Sequence, residues 1–355
     1  MKVILSGGAT IGPVSPLLAI YEETKDRNLD AEFLWVGTKN GPEKALVEEY
    51  KIPFVSIPSG KLRRYFSFQN FFDPFRIACG FFSSLVLLMR FRPSLVVSAG
   101  GFVSVPLVWA SWVLRVPVLI HQQDARIILA NKLMAPFAKK ITVTFQKNAE
   151  YFGRKKAVLT GNPVRSHLIE RDRETALNLF RLDVAVPTVL FVGGGTGAQR
   201  LNDLVLEGLQ EIVSFCQVIH LMGAGKSNVL AKHPRYRGYE FLGKEMMGNA
   251  YSAADLVICR GGMSTLSELG LFKKPSIIVP IPNTPQVENA YELRKYNAAE
   301  ILDQSAITAK DFVRIIRETL FDESTMKNMS ANVGRVFPSD AAARVLREMY
   351  SIAKK

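Results

Sequence analysis

Cysteine is scarce in this sequence of 355 residues. Its three cysteines, Cys79, Cys216 and Cys259, stand far apart with no paired spacing. A disulfide framework and a structural zinc site both need paired or closely spaced cysteines, so the sequence favours neither. We therefore expect the protein in a reducing compartment.

Long apolar runs are also lacking. The most apolar stretch, Ile77 to Met89, is shorter than the ~20 residues that span a bilayer, and glycine and serine interrupt it. The N-terminal residues MKVILSGG carry one lysine and end in glycines, which is typical of a first β-strand and not of a signal peptide. We expect neither export nor a membrane crossing.

Positive charge is what the chain has in excess. Residues 1–163 hold 21 Lys and Arg against 11 Asp and Glu, a net +10, and the remainder brings the total to +13. This asymmetry indicates an anionic partner for the N-terminal half: nucleic acid, a phosphorylated substrate or an acidic membrane surface. Nucleic acid ranks last, because no recognised binding module accompanies the charge.

Short runs rich in Val, Ile and Leu alternate with amphipathic stretches, the pattern of a parallel sheet with crossover helices. The runs that predict strands are Lys2 to Leu5, Phe33 to Val36, Leu95 to Ser98, Val116 to Ile120, Ile141 to Phe145, Ala157 to Leu159, Thr188 to Val192, Val218 to Leu221, Leu256 to Cys259 and Ser276 to Val279. We predict an α/β protein with two doubly wound, Rossmann-like domains facing each other across a cleft. Its predicted parts are residues 1–163, residues 164–340, and a C-terminal helix, 341–355, that packs back on the first domain.

Each half opens with an apolar strand that leads into a glycine cluster and then a helix. The clusters are Ser6 to Gly12 and Gly193 to Ala198. Glycine lets backbone amides approach a phosphate closely, and a helix N-terminus adds positive potential. Neither cluster matches a P-loop or a dinucleotide fingerprint, so either could be only a tight turn. Two such clusters in two domains favour a phosphate-bearing ligand.

Five segments go beyond this general pattern. They are the glycine loop at 7–16, SAGGFVSVP at 98–106, HQQDARIILANK at 121–132, GNPVR at 161–165, and the pair GGGTGA and CRGGMSTLSE in the second half. In this order, from Lys2 to about Leu302, they resemble the MurG family of glycosyltransferase family 28, the UDP-N-acetylglucosamine:undecaprenyl-diphospho-muramoylpentapeptide N-acetylglucosaminyltransferases.

The resemblance implies a fold and a reaction. The fold is the two-domain glycosyltransferase B fold, with the acceptor and the membrane on the side of residues 1–163 and the UDP-sugar donor on residues 164–340. The reaction is an inverting transfer of N-acetylglucosamine from its UDP donor to lipid I, without a metal ion or other cofactor. Its product is lipid II for peptidoglycan synthesis, at the cytoplasmic face of the cell membrane.

For the donor, the resemblance implies contacts from a set of glycines, helix N-terminal residues and polar side chains. They are Arg165, Gly194, Gly195, Thr196, Gly197, Met263, Ser264, Thr265, Glu268, Gln286 and Asn289. Glu268 lies far enough into its helix to accept both hydroxyls of a ribose, although a solvated helix glutamate is the alternative. Thr284 and Pro285 stand where many relatives have an acidic residue and a histidine, so the sugar contacts are less fixed than the nucleotide contacts.

For the acceptor, the resemblance implies contacts from Thr10, Ile11, Gly12, Pro13, Gly100, Gly101, Phe102 and Asn131. Pro13 replaces a family histidine, and Gln122 replaces a family glutamate, so two titratable groups are missing. An inverting transfer needs a base for the acceptor hydroxyl. We predict Asp124, His121 or water, with Asp124 preferred. Alternatively, His121 only bonds a backbone carbonyl, and Asp124 caps a helix beginning near Ala125.

Residues 61–92 combine basic and aromatic side chains. The basic ones are Lys61, Arg63, Arg64, Arg76, Arg90 and Arg92, and the aromatic ones are Tyr65, Phe66, Phe68, Phe71, Phe72, Phe75, Phe81, Phe82 and Phe91. This composition favours peripheral contact with an anionic inner-membrane surface. The alternative is a core helix preceded by a loop.

Two other functions stay open. The altered acceptor loop allows another lipid glycosyltransferase or a UDP-sugar epimerase of the same fold. Pro13 and Gln122 also allow a non-catalytic relative that binds UDP-sugar or lipid I as a scaffold. The retained donor motifs count against a scaffold.

Overall fold

The computed structural model describes residues 1–8, 10, 12–60, 69–165, 172–193, 198–223, 225 and 233–353, with 69–72 and 244 described by backbone alone. The chain divides into two compact units. Unit 1 comprises Met1–Arg165 and Asp340–Lys355, and unit 2 comprises Ser166–Ser339.

Unit 1 is built on a parallel sheet, which has seven strands in the part of the chain that the structure describes. They are β1 (Lys2–Gly7), β2 (Glu32–Gly37), β3 (Phe54–Ser56), β4 (Leu95–Gly100), β5 (Val118–Gln122), β6 (Lys140–Val143) and β7 (Ala157–Leu159). Their order across the sheet is β3-β2-β1-β4-β5-β6-β7. The chain winds outward in both directions from β1 and β4, and ligands of such sheets bind at the carboxyl ends of the strands beside this switch point.

The helices of unit 1 cover both faces of this sheet. They are α1 (Val14–Asp26), α2 (Glu43–Glu49), α3 (Gln69–Phe91), α4 (Ser104–Val113), α5 (Leu129–Met134) and α6 (Gln146–Phe152), with a 3-10 turn at Ala135–Phe137. Because side chains alternate along a strand, Ile4 and Val96 enter one apolar core with α4, and Leu5 and Val97 enter another with α1.

Unit 2 repeats this architecture with six strands among its described residues. They are β8 (Thr188–Val192), β9 (Gln217–Leu221), β10 (Tyr236–Tyr239), β11 (Leu256–Cys259), β12 (Ser276–Ile278) and β13 (Glu300–Ile301), in the parallel order β10-β9-β8-β11-β12-β13. Its helices are α7 (Arg173–Phe180), α8 (Gln199–Glu207), α9 (Leu209–Phe215), α10 (Lys244–Ala253), α11 (Met263–Leu271), α12 (Pro285–Lys295), α13 (Ala309–Phe321) and α14 (Glu323–Val336). The switch point lies between β8 and β11.

The C-terminal helix α15 (Ala341–Ile352) belongs to unit 1. Val345 and Met349 are fully buried in the core that α1 contributes to. Glu348 also pairs with Lys140 of β6 at 3.0 Å. The helix therefore closes one face of the unit 1 sheet.

Helix α3 is longer than the apolar stretch recognised in the sequence. Its segment Asp73–Phe91 is long and apolar enough, by length and composition, to cross a membrane. The stretch Ile77 to Met89 lies within this longer segment. Ser84 and Leu88 are buried on the side that packs against α4, yet only 17% of the segment is buried. Most of its other residues are half-buried or exposed.

Candidate functional site

The loop between β1 and α1 lies at the switch point of the unit 1 sheet. Thr10 is exposed and Gly12 is half-buried, while Ala9 and Ile11 lie outside the described residues. Pro13 precedes α1 with a φ of −68°, the value that its ring prefers. The proline at the position of the family's histidine therefore begins the helix without strain.

A second glycine segment follows β4. Gly100 and Gly101 have φ values of +105° and +98°, which side chains other than glycine rarely adopt. A Cβ on Gly101 would lie 2.8 Å from the carbonyl oxygen of Gly8, so the two loops meet backbone to backbone. A Cβ on Gly100 would lie 3.2 Å from Asn131 Oδ1. With the half-buried Phe102, these predicted acceptor residues lie at one edge of the sheet.

The segment after β5 is held by amide hydrogen bonds. Asn131 is fully buried, and its Nδ2 donates to Gln122 Oε1 at 2.7 Å and to the main-chain oxygen of His121 at 3.3 Å. Gln122 Nε2 donates to the main-chain oxygens of Asp124 and Arg126 at 2.8 and 3.1 Å. Gln122 therefore uses both ends of its amide to shape this loop.

His121 is fully buried at the end of β5. Its Nδ1 is 3.0 Å from Thr142 Oγ1, and its Nε2 is 2.9 Å from Asn162 Oδ1. The partners are side chains, so the alternative of a backbone carbonyl partner is wrong. Burial lowers the pKa of His121 to about 4, and the ring is neutral near pH 7. With both nitrogens occupied, the ring ties the segment of Asn162 to the sheet.

Asp124 is half-buried beside this loop. Its main-chain oxygen accepts from Gln122 Nε2 and from Asn148 Nδ2, each at 2.8 Å. Helix α5 begins at Leu129, so the alternative that Asp124 caps a helix beginning near Ala125 is wrong. The backbone of this candidate base is thus fixed by two amide side chains.

Arg165 is the last residue of the first segment of unit 1. Its charge and a side-chain hydrogen bond act on the hydroxyl of Tyr50, which donates to Glu22 Oε1 at 2.7 Å. Burial and then Glu22 raise the pKa of Tyr50, and Arg165 opposes them. The structure places Arg165 in unit 1, whereas the other predicted donor residues belong to unit 2.

In unit 2, β8 leads into the second glycine cluster at Gly193. The Gly193 amide donates to Leu221 of β9 at 3.1 Å, and a Cβ on Gly193 would lie 3.1 Å from the Ala198 nitrogen. Gly194, Gly195, Thr196 and Gly197 lie outside the described residues. The described flanks therefore bring the two ends of the cluster close together at the carboxyl edge of β8.

Helix α11 begins directly after β11. Its first residues are Met263, Ser264 and Thr265, and neither a side-chain cap nor an acidic residue neutralises its first turn. Unpaired amides and the helix dipole make such an N-terminus favourable for an anion. The structure therefore places these three predicted residues where a diphosphate can bind.

Glu268 lies one turn further along α11 and is only 8% exposed. The hydroxyl of Tyr251, which is fully buried on α10, donates to Glu268 Oε2 at 2.8 Å. Burial, together with the carboxylate, raises the pKa of Tyr251 well above its usual value. The alternative of a solvated helix glutamate is wrong. A buried carboxylate oriented by a tyrosine suits recognition of hydroxyl groups.

Helix α12 brings Gln286 and Asn289, two of the predicted donor residues, to the same edge. Asn289 is buried, and its Nδ2 donates to the main-chain oxygen of Gly261 at 3.1 Å. A Cβ on Gly261 would lie 2.5 Å from the main-chain oxygen of Gln286. The Gln286 side chain accepts from the Ile281 amide at 3.2 Å. Both residues therefore border the loop that begins α11.

Two residues at this edge were missed as candidates. Arg260 is buried after β11, and its Nη1 donates to Val279 O and Gln304 Oε1, both at 2.7 Å, while Nε has no partner among the described residues. Phe241 is 76% exposed just beyond β10. Arg260 lies within the CRGGMSTLSE motif, which was a usable signal. No local pattern marks Phe241.

The two edges offer different chemistry. In unit 2, the amides at the N-terminus of α11 lie on the same helix as the buried carboxylate Glu268. In unit 1, glycine-containing loops lie at the same sheet edge as Asp124. Among the residues that the structure describes, no three His, Cys, Asp or Glu side chains are grouped so that they could hold a metal ion.

Two doubly wound domains, each with a glycine loop at the carboxyl edge of its sheet, define the class as glycosyltransferases of the B fold. Family models named "Glycosyltransferase family 28 N-terminal domain" and "Glycosyltransferase family 28 C-terminal domain" match residues 3–143 and 188–345. The chain belongs to this family and, within it, to the MurG family of N-acetylglucosaminyltransferases.

Relatives match over nearly the whole chain. UDP-N-acetylglucosamine--N-acetylmuramyl-(pentapeptide) pyrophosphoryl-undecaprenol N-acetylglucosamine transferase 2 of Bacillus anthracis is 34% identical over 92% of this chain and 93% of its own. The transferase of the same name, without the number, from Lachnospira eligens is 35% identical over 90% of this chain and 91% of its own. The crystal structure of Acinetobacter baumannii MurG has a TM-score of 0.77, covers 99% of both chains and is 24% identical, which shows a shared fold.

Proposed function

We propose that this chain transfers N-acetylglucosamine from UDP-N-acetylglucosamine to undecaprenyl-diphospho-N-acetylmuramoyl-pentapeptide, lipid I, and so forms lipid II. The relatives carry this reaction in their names. The observation that carries the proposal is the buried Glu268 on α11, a helix whose N-terminus has no side-chain cap. Such an edge suits a nucleoside diphosphate.

Unit 2 binds the donor in this proposal. The diphosphate contacts Gly194 to Gly197 and the first turn of α11, while Glu268 accepts the ribose hydroxyls. Gln286 and Asn289 border the sugar. Phe241, exposed at the end of β10, stacks on the nucleobase.

Unit 1 binds the acceptor in this proposal. The acceptor hydroxyl oxygen forms a bond to C1 of N-acetylglucosamine from the face opposite the diphosphate. The bond from C1 to the diphosphate oxygen breaks, and UDP leaves with that electron pair. The hydroxyl proton passes to a base. Developing charge on UDP is stabilised by the amides at the N-terminus of α11.

Asp124 is the proposed base. His121 has both nitrogens occupied and a pKa of about 4, so its role is to position the segment that contains Asn162. An Asp124→Asn protein keeps the size of the side chain and the main-chain bonds to Gln122 and Asn148. We expect its turnover to fall by about 10²- to 10⁴-fold, the usual contribution of a general base. Near-normal turnover would remove Asp124 from the chemistry.

The transfer assay follows radiolabelled N-acetylglucosamine from its UDP donor onto a lipid I analogue, with released UDP measured in parallel. Glu268→Gln should abolish donor binding. Glu207→Gln, at an exposed position of α8, is the matched control. Acceptor-dependent product supports the proposal. Binding of UDP-N-acetylglucosamine without transfer to any of several lipid acceptors would instead indicate a non-catalytic relative.

A peripheral membrane contact completes the proposed function. Phe75, Phe82, Val86 and Met89 of α3 are between 46% and 72% exposed. Their spacing places them on one face of the helix, here called the α3 stripe. These apolar side chains are exposed to solvent, and contact with lipid would remove them from water.

Unit 1 has further exposed apolar and basic side chains. Trp112 and Val113, at the end of the adjacent helix α4, are also exposed. Arg76 and Arg90 of α3 and Arg115, just after α4, are exposed as well. Apolar side chains bordered by cations favour insertion at the interface of an anionic bilayer. Residues 61–68 of the predicted membrane segment lie outside the described residues.

Vesicle sedimentation tests the contact. The protein should bind vesicles that contain phosphatidylglycerol more strongly than phosphatidylcholine vesicles, and added salt should weaken binding. Replacing Phe75 and Phe82 by serine should weaken binding by about 1.5–3 kcal/mol per side chain that inserts fully. Tyr151→Ser, at an exposed aromatic position of α6, is the control. Equal binding of both proteins would refute the contact.

An alkaline wash separates a peripheral contact from a crossing helix. A protein held only by the α3 stripe and basic side chains should be released from vesicles. Retention after the wash would indicate that Asp73–Phe91 crosses the bilayer.

A further inference from the structure

Glu43 is a fully buried carboxylate that the proposed reaction does not use. It is the first residue of α2. Thr38 donates to its Oε1 twice, through the main-chain amide at 2.7 Å and through the hydroxyl. Its Oε2 has no hydrogen-bond partner among the described residues. A buried carboxylate with an unsatisfied oxygen costs stability, so packing alone does not explain it.

Two glycines lie against the two oxygens. A Cβ on Gly8 would overlap Oε1 of Glu43, and a Cβ on Gly41 would overlap Oε2. Neither glycine has a positive φ, so space and not backbone conformation requires them. Gly8 belongs to the loop after β1, and Gly41 belongs to the loop after β2. The carboxylate is therefore the common contact of two loops at adjacent strand ends.

On the side away from Glu43, the loop after β1 packs closely against the Gly101 backbone. A Cβ on Gly101 would lie 2.8 Å from Gly8 O and 3.0 Å from Gly8 N. The buried indole of Trp35 donates to Gly7 O at 3.1 Å. Gly8 thus lies between the Glu43 carboxylate and the Gly101 backbone. A change at position 43 should therefore alter the position of the loop after β1.

These two loops expose polar groups at the acceptor edge of unit 1. Thr10 follows β1, and Lys39 and Asn40 follow β2, and all three are exposed. A Cβ on Gly12 would lie 3.5 Å from Gln123 Nε2, so the first loop also reaches the segment after β5. An exposed lysine beside a glycine loop suits the diphosphate of the acceptor.

We infer that Glu43 is a positioning residue for the acceptor, because its carboxylate holds the β1 and β2 loops in the one arrangement in which Thr10 and Lys39 meet the acceptor diphosphate together. The inference rests on the proposed function, since it takes unit 1 as the acceptor side. Without the carboxylate, the Thr38 donors lose their acceptor and Gly8 loses a neighbour. The loops then separate, and the acceptor binds more weakly while the donor site in unit 2 is unaffected.

The kinetic test compares Glu43→Ala with Glu48→Ala, a matched change at an exposed position of the same helix. The Michaelis constant for a lipid I analogue should rise by about tenfold to about a hundredfold in Glu43→Ala, as misplaced binding groups typically cause. The constant for UDP-N-acetylglucosamine should stay at the wild-type value. Glu43→Gln keeps an oxygen for Thr38 and should recover most of the loss.

A merely structural role gives a different result. A folded Glu43→Ala protein with both Michaelis constants unchanged, or with both raised equally, would overturn the inference. If Glu43→Ala does not fold, Thr38→Val removes one donor at nearly the same size and should show the same selective rise for the acceptor. Equal constants in a folded Thr38→Val protein and wild type would count against it as well.

Trypsin cleavage after Lys39 supplies a readout that needs no activity. Cleavage should be faster in Glu43→Ala than in wild type or Glu48→Ala, and the lipid I analogue should slow it in wild type. If wild type transfers no sugar, the proposed function fails, and faster cleavage still supports the contact between Glu43 and the loop. Unchanged cleavage would overturn the inference whichever way the transfer assay comes out.

Discussion

The Tyr251 hydroxyl orients Glu268, the carboxylate that the proposed function assigns to the donor ribose. It donates to Glu268 Oε2 at 2.8 Å in a fully buried setting. In a Tyr251→Phe protein the ring stays stacked on Phe272, with centroids 5.1 Å apart, while Glu268 loses a donor. Hydrogen bonds to charged groups contribute about 1.5–3 kcal/mol, so we expect the free energy of unfolding in urea to fall by about that amount.

Calorimetric titration with UDP-N-acetylglucosamine measures the effect on binding. If Glu268 binds the ribose, Tyr251→Phe should weaken the Kd by about tenfold, equivalent to about 1.4 kcal/mol. Tyr296→Phe, at a half-exposed ring of unit 2, is the matched control and should bind like wild type. An unchanged Kd in a folded, destabilised Tyr251→Phe protein would refute the reasoning, because it would separate Glu268 from the donor.

Three further changes test the fold around the two edges. Gly101→Ala should lower the free energy of unfolding in urea by about 1–3 kcal/mol, because its φ is +98° and the new Cβ would meet the backbone of Gly8. Gly153→Ala should cost less, because its Cβ would meet open space. Burial lowers the pKa of His121 and His220 to about 4, so the unfolded chain binds protons first as the pH falls. The free energy of unfolding that the two neutral histidines contribute is therefore fully present above about pH 6.5 and should be lost towards about pH 4. At about pH 5 the loss should be about 2 kcal/mol per histidine. Urea midpoints that do not change with pH would contradict this. Met349→Ala, in the core under α15, should cost about 2–5 kcal/mol in the same assay, and a smaller loss would mean that α15 contributes little to unit 1.

The interior strands of both sheets could be predicted from the sequence because they are buried on both faces. Leu256–Cys259, for example, is a continuous apolar run. The strands β3, β10 and β13 were not predicted, and each lies at a sheet edge. β10 reads YRGY and is mostly half-buried. β10 forms a strand because it pairs with the backbone of β9, and the residue pattern of β10 alone does not indicate that pairing.

The sequence was sufficient to predict which residues belong to the candidate site, but not which side chains they contact. Glu268 was recognised, whereas its burial depends on Tyr251, which lies 17 positions earlier in the chain. His121 was recognised, whereas its partner Asn162 lies 41 positions later. Local spacing along one element cannot report such pairs. The buried role of Glu43 has the same origin, since two separate loops create it.

The replaced acceptor residues fit the structure of this chain. Gln122 donates to two main-chain oxygens, at Asp124 and Arg126, and an ionised glutamate could donate to neither. Pro13 begins α1 in the conformation that its ring prefers. Both residues therefore fit the local backbone, and neither side chain is a base. Because Gln122 and Pro13 cannot accept the proton, the proposed function assigns it to Asp124, the candidate whose main-chain oxygen accepts a hydrogen bond from Gln122.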